Sequence, residues 1–477
     1  MSLYKNIITN LPEVAPPTQK VLSFKEKLKW TGIVIVLFFI LGLLPLFGLG
    51  KNALEQFEFL SIILAAQFGS IISLGIGPIV TSSIVLQLLN GSGIVKFDLT
   101  TTEGKKTFQG TQKLLSFFFI LFEAIIYVFM GGLSPEGFGA AAGFVGITKA
   151  TNPQMFFYLQ LLLVFQLFLG GILIMFMDEV ISKWGFGSGI SLFIAAGVSQ
   201  SIFWQALSWV KRPGVEYSVG AIPALVQALG KSDLTYALVK ISALLSTAFV
   251  FMLAVYAQAM KIEIPLSFGM VRGQGIRWPL SFIYTSNIPV ILVSALMANF
   301  QLWGRLIQNW LQHGTWFATF DTTGQLRSGL VYWLNSPELL RIIIEGKGLL
   351  GITPYLQALS YVLFMILGSV IFSLFWVQTA GMDAKTVSKQ MLSSGLQIPG
   401  FRKDERILET ILNRYIWPLT VMGAITVGLL ASLADLSSAL SRGTGILLTV
   451  MIVYKLYEDI AKQHAMDMNP MLKKIIS

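Results

Sequence analysis

LGIGPIVTSSIVLQLL, residues 74–89, carries no charge and opens on Gly75, Gly77 and Pro78. Directly before it lies a second apolar stretch, FEFLSIILAAQFG at residues 57–69, which is too short to cross a bilayer. Helix-breaking residues survive at membrane depth where protein or a cavity re-satisfies the freed backbone groups. The two stretches together read as a place where something moves or passes, rather than as an anchor.

Apolar residues make up 54% of the 477 and charged residues 12%, against about 25% charge in a soluble domain. The chain is a membrane protein. Windows of about 20 apolar residues, enough to cross ~30 Å of hydrocarbon, begin near Trp30, Leu74, Leu114, Phe156, Gly189, Tyr236, Tyr284, Tyr355, Tyr415 and Gly443. Ten such windows joined mostly by short loops predict one helical bundle. Residues 1–29 are polar and the first apolar run is long enough to span, which points away from a cleaved signal. The absence of cysteine excludes disulfides, thiolate metal sites and cysteine nucleophiles.

With the loops alternating through ten spans, 23 of the 34 Lys and Arg fall on the N-terminal side, 10 on the other, and Lys240 inside a span. That bias predicts cytoplasmic termini. Much of the net charge of +10 is therefore topological rather than a nucleic-acid footprint.

Residues 1–29 form an N-terminal segment in which Val21, Phe24 and Leu28 recur at helical spacing among lysines. This suits an amphipathic helix on the cytoplasmic surface, or a solvated basic lead-in. Residues 30–207 make a first half of five spans, and residues 57–69 within it fit a short re-entrant helix or an interfacial one. Glu123 lies inside the third span, where a carboxylate costs about 2.5 to 3.5 kcal/mol and belongs against protein or water. The fourth span is expected to end at Met177, ahead of Asp178 and Glu179. WGFGSGIS at residues 184–191 leads into the fifth span, its glycines permitting close packing.

Residues 208–235 read as a long external hinge. Residues 236–460 then hold five further spans, so the halves have opposite topology. Each half carries a proline near the start of its second span, GIGPIV at 75–80 and SNIPVIL at 286–292, the pattern of an inverted repeat with a working site between its halves. The expected fold is an all-α membrane protein: ten transmembrane helices in two inverted pseudo-symmetric halves of five, with a short re-entrant helix. Residues 261–283 and 378–414 are basic cytoplasmic loops, the second holding Arg402, Lys403 and Arg406. They suit docking of a polyanion through its phosphates, or topological charge alone. Ser336, Pro337 and Glu338 resemble a surface helix start with proline at its first position. Residues 461–477 form a cytoplasmic tail.

The spans hold few ionisable groups: Glu123, Lys240 and Lys455. Coupled transporters and pumps need intramembrane carriers of charge, and both His313 and His464 fall in loops. The chain shows no GxxxxGK[ST] phosphate loop, no HExxH, no GxSxG and no partnered acid pair. Neither an enzyme nor a cofactor is expected. Thr81, Glu123 and Asn299 are polar groups that satisfy one another more cheaply than each alone in hydrocarbon. The residues flanking the two proline-bearing starts are bare aliphatics, which would form a dewetting constriction without a selective site.

These segments resemble the SecY family, the large subunit of the protein-conducting channel. The likeness runs through the chain in order: GIGPIVTSSIVLQLL, GSGISLFIAAGVSQ, YTSNIPVIL, IPGFR and GTGILLTV. YTSNIPVIL and the first cytoplasmic loop look archaeal or eukaryotic rather than bacterial.

The resemblance implies an hourglass channel closed by a plug, residues 57–69, with Phe57, Phe59, Leu60, Ile62, Ile63, Leu64 and Phe68 as its apolar side chains. It implies a waist ring of Ile76, Val80, Ile190, Ile194, Ile291 and Leu448. A lateral gate between the second and third spans and the seventh and eighth would carry Thr81, Glu123 and Asn299 as its polar cluster. Glu123 is an acid where some relatives hold an amide, and Ser191 stands where many hold glycine. Arg272, Arg277 and Arg402 match loop positions that dock a ribosome or another cytoplasmic driving partner. Implied partners are SecE-type and Sec-beta-type small membrane subunits, signal sequences, nascent polypeptides and membrane lipid, and the implied location is the plasma membrane. Competing readings are an uncoupled secondary transporter of a small solute and a scaffold that only binds membrane proteins.

Overall fold

The computed structural model describes residues 10–18, 22–54, 64–91, 93–95, 97, 101–139, 147–211, 217–268, 275–285, 287–311, 313–321, 325–346, 351–393, 396–397, 404–441 and 443–468. Ten long helices occupy the ten expected places. They are Phe24–Leu43, Gly77–Gly91, Thr102–Phe129, Pro153–Trp184, Gly189–Leu207, Leu234–Ala259, Ile288–Leu311, Thr353–Thr379, Glu405–Leu436 and Gly443–Met468, named below first to tenth. Seven of them are long and apolar enough to cross a membrane. The first and tenth miss that length of uncharged helix because Lys25, Glu26, Lys27 and Lys29 fall in the first turns of one, and Lys455, Glu458 and Asp459 at and beyond the middle of the other. The second is short, with 15 residues.

Several boundaries differ from expectation. Ser23 caps the first helix through the Glu26 N–H, so residues 24–29 continue directly into the membrane span rather than forming a separate surface helix. The fourth helix passes through Met177 to Trp184, because the two acids expected to end it have partners: Glu179 accepts from Lys113, and Asp178 accepts the Ile190 N–H. The hinge at 208–235 contains a helix, Ala221–Gly230, packed on the sixth. A short helix does follow, at Leu339–Ile344, but Glu338 is its cap, so Pro337 lies ahead of the helix rather than at its first position.

The fold is not wholly α. Strands Lys261–Phe268 and Gly275–Ser281 form an antiparallel hairpin, and Leu396–Gln397 joins its edge by pairing with Ser267 and Phe268. The two loops read as separate basic projections are therefore one sheet. In the sequence, neighbouring prolines and glycines obscure the strand signal of their alternating Ile and Leu residues.

Contacts between loops sort the helix ends onto two faces. On the N-terminal face, the Val14 N–H donates to Glu179, Lys27 donates to Gln463, and Lys261 pairs with Glu458. Lys183 donates to Glu13 there and holds its carboxyl below the usual range. On the opposite face, Lys51–Asn52 pairs with Leu133–Ser134, and the Leu440 and Ser441 N–H groups donate to Thr247 and Gln205. The halves meet where the second helix packs on the seventh and eighth and the fifth packs on the tenth. Phe38 stacks on Phe193 at 4.8 Å and seats the fifth helix against the first.

Candidate functional site

The segment ahead of the second helix is irregular and deeply buried. Leu64, Ala65, Ala66, Ile72, Ser73, Leu74 and Ile76 are all at most 5% exposed. Its backbone polar groups find partners locally: Ser73 accepts the Gly69 N–H, Ser70 donates to the Gln67 carbonyl, and Leu46 and Ile71 N–H groups bond to Gly69 and Leu44. Non-helical chain at membrane depth is stable on these terms. Gly75 has φ +57, and a Cβ there would lie 2.2 Å from the Leu64 carbonyl oxygen. That close approach lets the Ile76 N–H donate to the same oxygen at 2.8 Å. Pro78 falls at the second helical residue, where no N–H is needed, so proline starts this helix rather than loosening it.

Of the residues 57–69 expected to form a helix, Phe57, Phe59, Leu60, Ile62 and Ile63 lie outside the described residues. Leu64 to Gly69 are turns and extended chain with Ala65 at φ +44, not helix. Leu64 is fully buried and Phe68 packs against the same cluster of apolar side chains.

Ile76, Val80, Ile194, Ile291 and Leu448 belong to one large buried apolar cluster, and Ile190 packs against it half-buried. They arrive from the second, fifth, seventh and tenth helices and the turn before the second. On the N-terminal face, a cavity of about 310 Å³ opens between the fifth, seventh and tenth helices, with Ser191, Asn287, Lys455 and Asp459 in its lining.

Thr81, Glu123 and Asn299, separated widely in sequence, meet across the second, third and seventh helices. The Asn299 amide donates to Thr81 Oγ1 at 2.9 Å; the Thr81 hydroxyl lies 2.8 Å from the Gly77 carbonyl and 3.3 Å from Glu123 Oε1. All three are buried, and Glu123 Oε2 has no hydrogen-bond partner. Ser82 and Ser116 add a second hydroxyl contact between the second and third helices at 2.7 Å. At the N-terminal-face end, Gly91 lies against the Phe375 ring of the eighth helix, so closely that a Cβ would be 2.3 Å away.

The three arginines are not brought together in any described way. Arg272 and Arg402 lie outside the described residues, and Arg277 is placed only as a backbone position in the hairpin, opposite Pro265. Lys240 is half-buried beside a cavity of about 540 Å³ on the opposite face, and Lys455 is exposed. One buried acid escaped the sequence reading: Asp435, 5% exposed at the end of the ninth helix. The signal for it was a polar residue preceding a glycine-rich helix start, easily taken for loop.

The SecY family profile matches residues 70–457, and that of the plug domain of Sec61p matches residues 36–69. The protein translocase subunit SecY of Methanothermobacter thermautotrophicus is 43% identical over 99% of this chain and 98% of its own length. Among solved structures, one described as a protein-conducting channel superposes with a TM-score of 0.78 at 40% identity, covering 96% of this chain and 97% of that one. Sec61 in a canine ribosome–channel complex from the endoplasmic reticulum superposes at 0.76 with 39% identity and the same coverage.

Proposed function

The chain belongs to the SecY family, and we propose that within this multi-pass channel subunit Ile76, Val80, Ile190, Ile194, Ile291 and Leu448 form the closed waist. The protein conducts polypeptide across the membrane. The observation that carries the waist assignment is the convergence of these aliphatic side chains on one buried cluster, beside the Leu64–Ile76 contact that seats the end of the 57–69 plug.

An aliphatic ring interacts weakly and without side-chain preference, so it can close around any unfolded sequence while excluding ions by dewetting. A segment with enough apolar surface gains about 25 cal/mol per Å² by leaving water for lipid. Parting the second and third helices from the seventh and eighth, across Asn299–Thr81 and Gly91–Phe375, opens that route. The driving energy comes from a partner docked on the N-terminal face, the cytoplasmic one; a ribosome is that partner, held through Arg272, Arg277 and Arg402. SecE-type and Sec-beta-type subunits complete the complex in the plasma membrane. An uncoupled carrier of a small solute has no support, since the matched relatives are translocase subunits and the mapped waist offers only aliphatic side chains.

The test is photocrosslinking from probes placed singly at Ile76, Ile194 and Ile291 to a stalled secretory chain in reconstituted vesicles. Phe165, on an exposed face of the fourth helix, serves as the lipid-side control. Adducts at the three waist positions and none at the control are expected. Their absence with the chain demonstrably engaged would remove the waist assignment.

A further inference from the structure

We propose that Asp178 and Asp435 are paired positioning residues, one in each half, that fix the starts of the two helices bearing Ile190, Ile194 and Leu448. This rests on the waist assignment above.

The two helices open with related sequences, GSGISLFI at 187–194 and GTGILLTV at 443–450. In each case the preceding helix runs up to the turn and offers an aspartate near its end, Asp178 in Pro153–Trp184 and Asp435 in Glu405–Leu436. Each carboxylate points at the amino end of the next helix. The Ile190 N–H donates to Asp178 Oδ1 at 3.0 Å, and the Thr444 N–H donates to Asp435 Oδ1 at 2.7 Å. In the second motif the threonine hydroxyl joins in, donating to Asp435 Oδ2. First-turn N–H groups have no partner within their own helix and carry partial positive charge, so a carboxylate satisfies them through charge-assisted bonds, roughly twice as strong as neutral ones.

Glycine makes both contacts possible. A Cβ on Gly189 would lie 2.6 Å from Asp178 Cα, and one on Gly443 would lie 2.1 Å from the Ala434 carbonyl carbon. The pair also obeys the inverted repeat: the Asp178 turn lies on the N-terminal face, beside Lys183, and the Asp435 turn on the opposite face, beside Leu440 and Ser441.

The consequence for the waist is direct. Ile190 is itself a waist residue, so Asp178 holds its main chain. Leu448 lies about one turn beyond Thr444, so a displaced start shifts its side chain. Asp435 Oδ2 also accepts from Tyr361 of the eighth helix. Through that bond the tenth-helix waist residue is tied to a helix on the gate.

The experiment measures ion leak through the full chain in vesicles without translocating polypeptide, for Asp178→Ala, Asp435→Ala, Thr444→Val and Asp178→Asn. Loss of a charge-assisted bond at a closed waist should raise the leak of each alanine variant roughly tenfold, and Thr444→Val by less. Asp178→Asn keeps an oxygen for the Ile190 N–H but loses the charge, so about half of the effect, roughly a threefold rise, is expected, whereas a space-filling role would leave this isosteric variant at the parent's level. Inserted alanine variants that leak no more than the parent would overturn the proposal, as would equal leak for Asp178→Asn and Asp178→Ala. If an alanine variant does not accumulate, an unchanged leak in Thr444→Val overturns it at Asp435, and an unchanged leak in Asp178→Asn overturns it at Asp178. Failure of the waist crosslinks in the parent chain would instead sink the channel reading beneath it.

Discussion

The second and seventh helices are counterparts in the two halves, and each carries proline at its second residue, Pro78 and Pro289. The seventh, with 24 residues, extends about 36 Å and crosses alone. The second, with 15, extends about 22 Å and relies on the irregular chain at 64–76 for the rest. The inverted repeat has thus kept helix order and proline placement while letting one half replace regular helix with a folded, hydrogen-bonded stretch against the proposed waist. A helix end yields only by unwinding, whereas these turns are held by separate local backbone and side-chain bonds such as Ile76–Leu64 and Gly69–Ser73.

The sharpest way to break that comparison is Gly75→Ala. The left-handed φ costs a non-glycine residue about 1–3 kcal/mol, and the added Cβ collides with the Leu64 carbonyl. The Ile76–Leu64 bond should part, giving a large chain-free ion leak and protease sensitivity within 64–76. In the other half, Ile288→Ala, at the residue before Pro289, should produce neither.

Gly91→Val should act next most strongly. Overpacking against Phe375 costs about 1–3 kcal/mol and wedges the second helix from the eighth, so release of a hydrophobic segment into lipid, followed by lipid-side crosslinking, should quicken. Ion leak should rise less than for Gly75→Ala. Asn299→Ala removes the donor to Thr81 and leaves buried oxygen atoms unmatched, at about 1–3 kcal/mol. The minimum apolar length that a segment needs to enter lipid should shorten, and an unchanged minimum would show that the polar cluster does not hold the gate shut. The smallest effect is expected from Glu123→Gln, which keeps shape and an acceptor for Thr81. Its stability to thermal denaturation in detergent should stay within about 1 kcal/mol of the parent chain.

Much of the site was legible because its residues announce themselves by being wrong for lipid. Thr81, Glu123 and Asn299 stand out against apolar neighbours, and the structure brings all three together. The six proposed waist positions have no such contrast, since any buried or lipid-facing helix is rich in isoleucine and leucine; only a family likeness selects them. Asp435 went unseen because nothing local separates a buried acid that caps the next helix from an acid in a solvated turn. The hairpin at 261–281 was missed for a related reason: its pairing is a long-range property, and glycines and prolines between basic residues read as loop.

The sequence by itself determined the ten spans, their two groups of five and the sidedness of the charge, because hydrophobic length and Lys/Arg placement are summed along the chain and need no partner. Tertiary structure alone decided where the second helix begins, that residues 64–69 are turns, and which acid meets which helix start. Those outcomes depend on groups far apart in sequence, such as Asn299 and Thr81 or Tyr361 and Asp435, arriving within hydrogen-bond reach. In a medium that leaves an unpaired polar group costly, that arrival is what selects one arrangement.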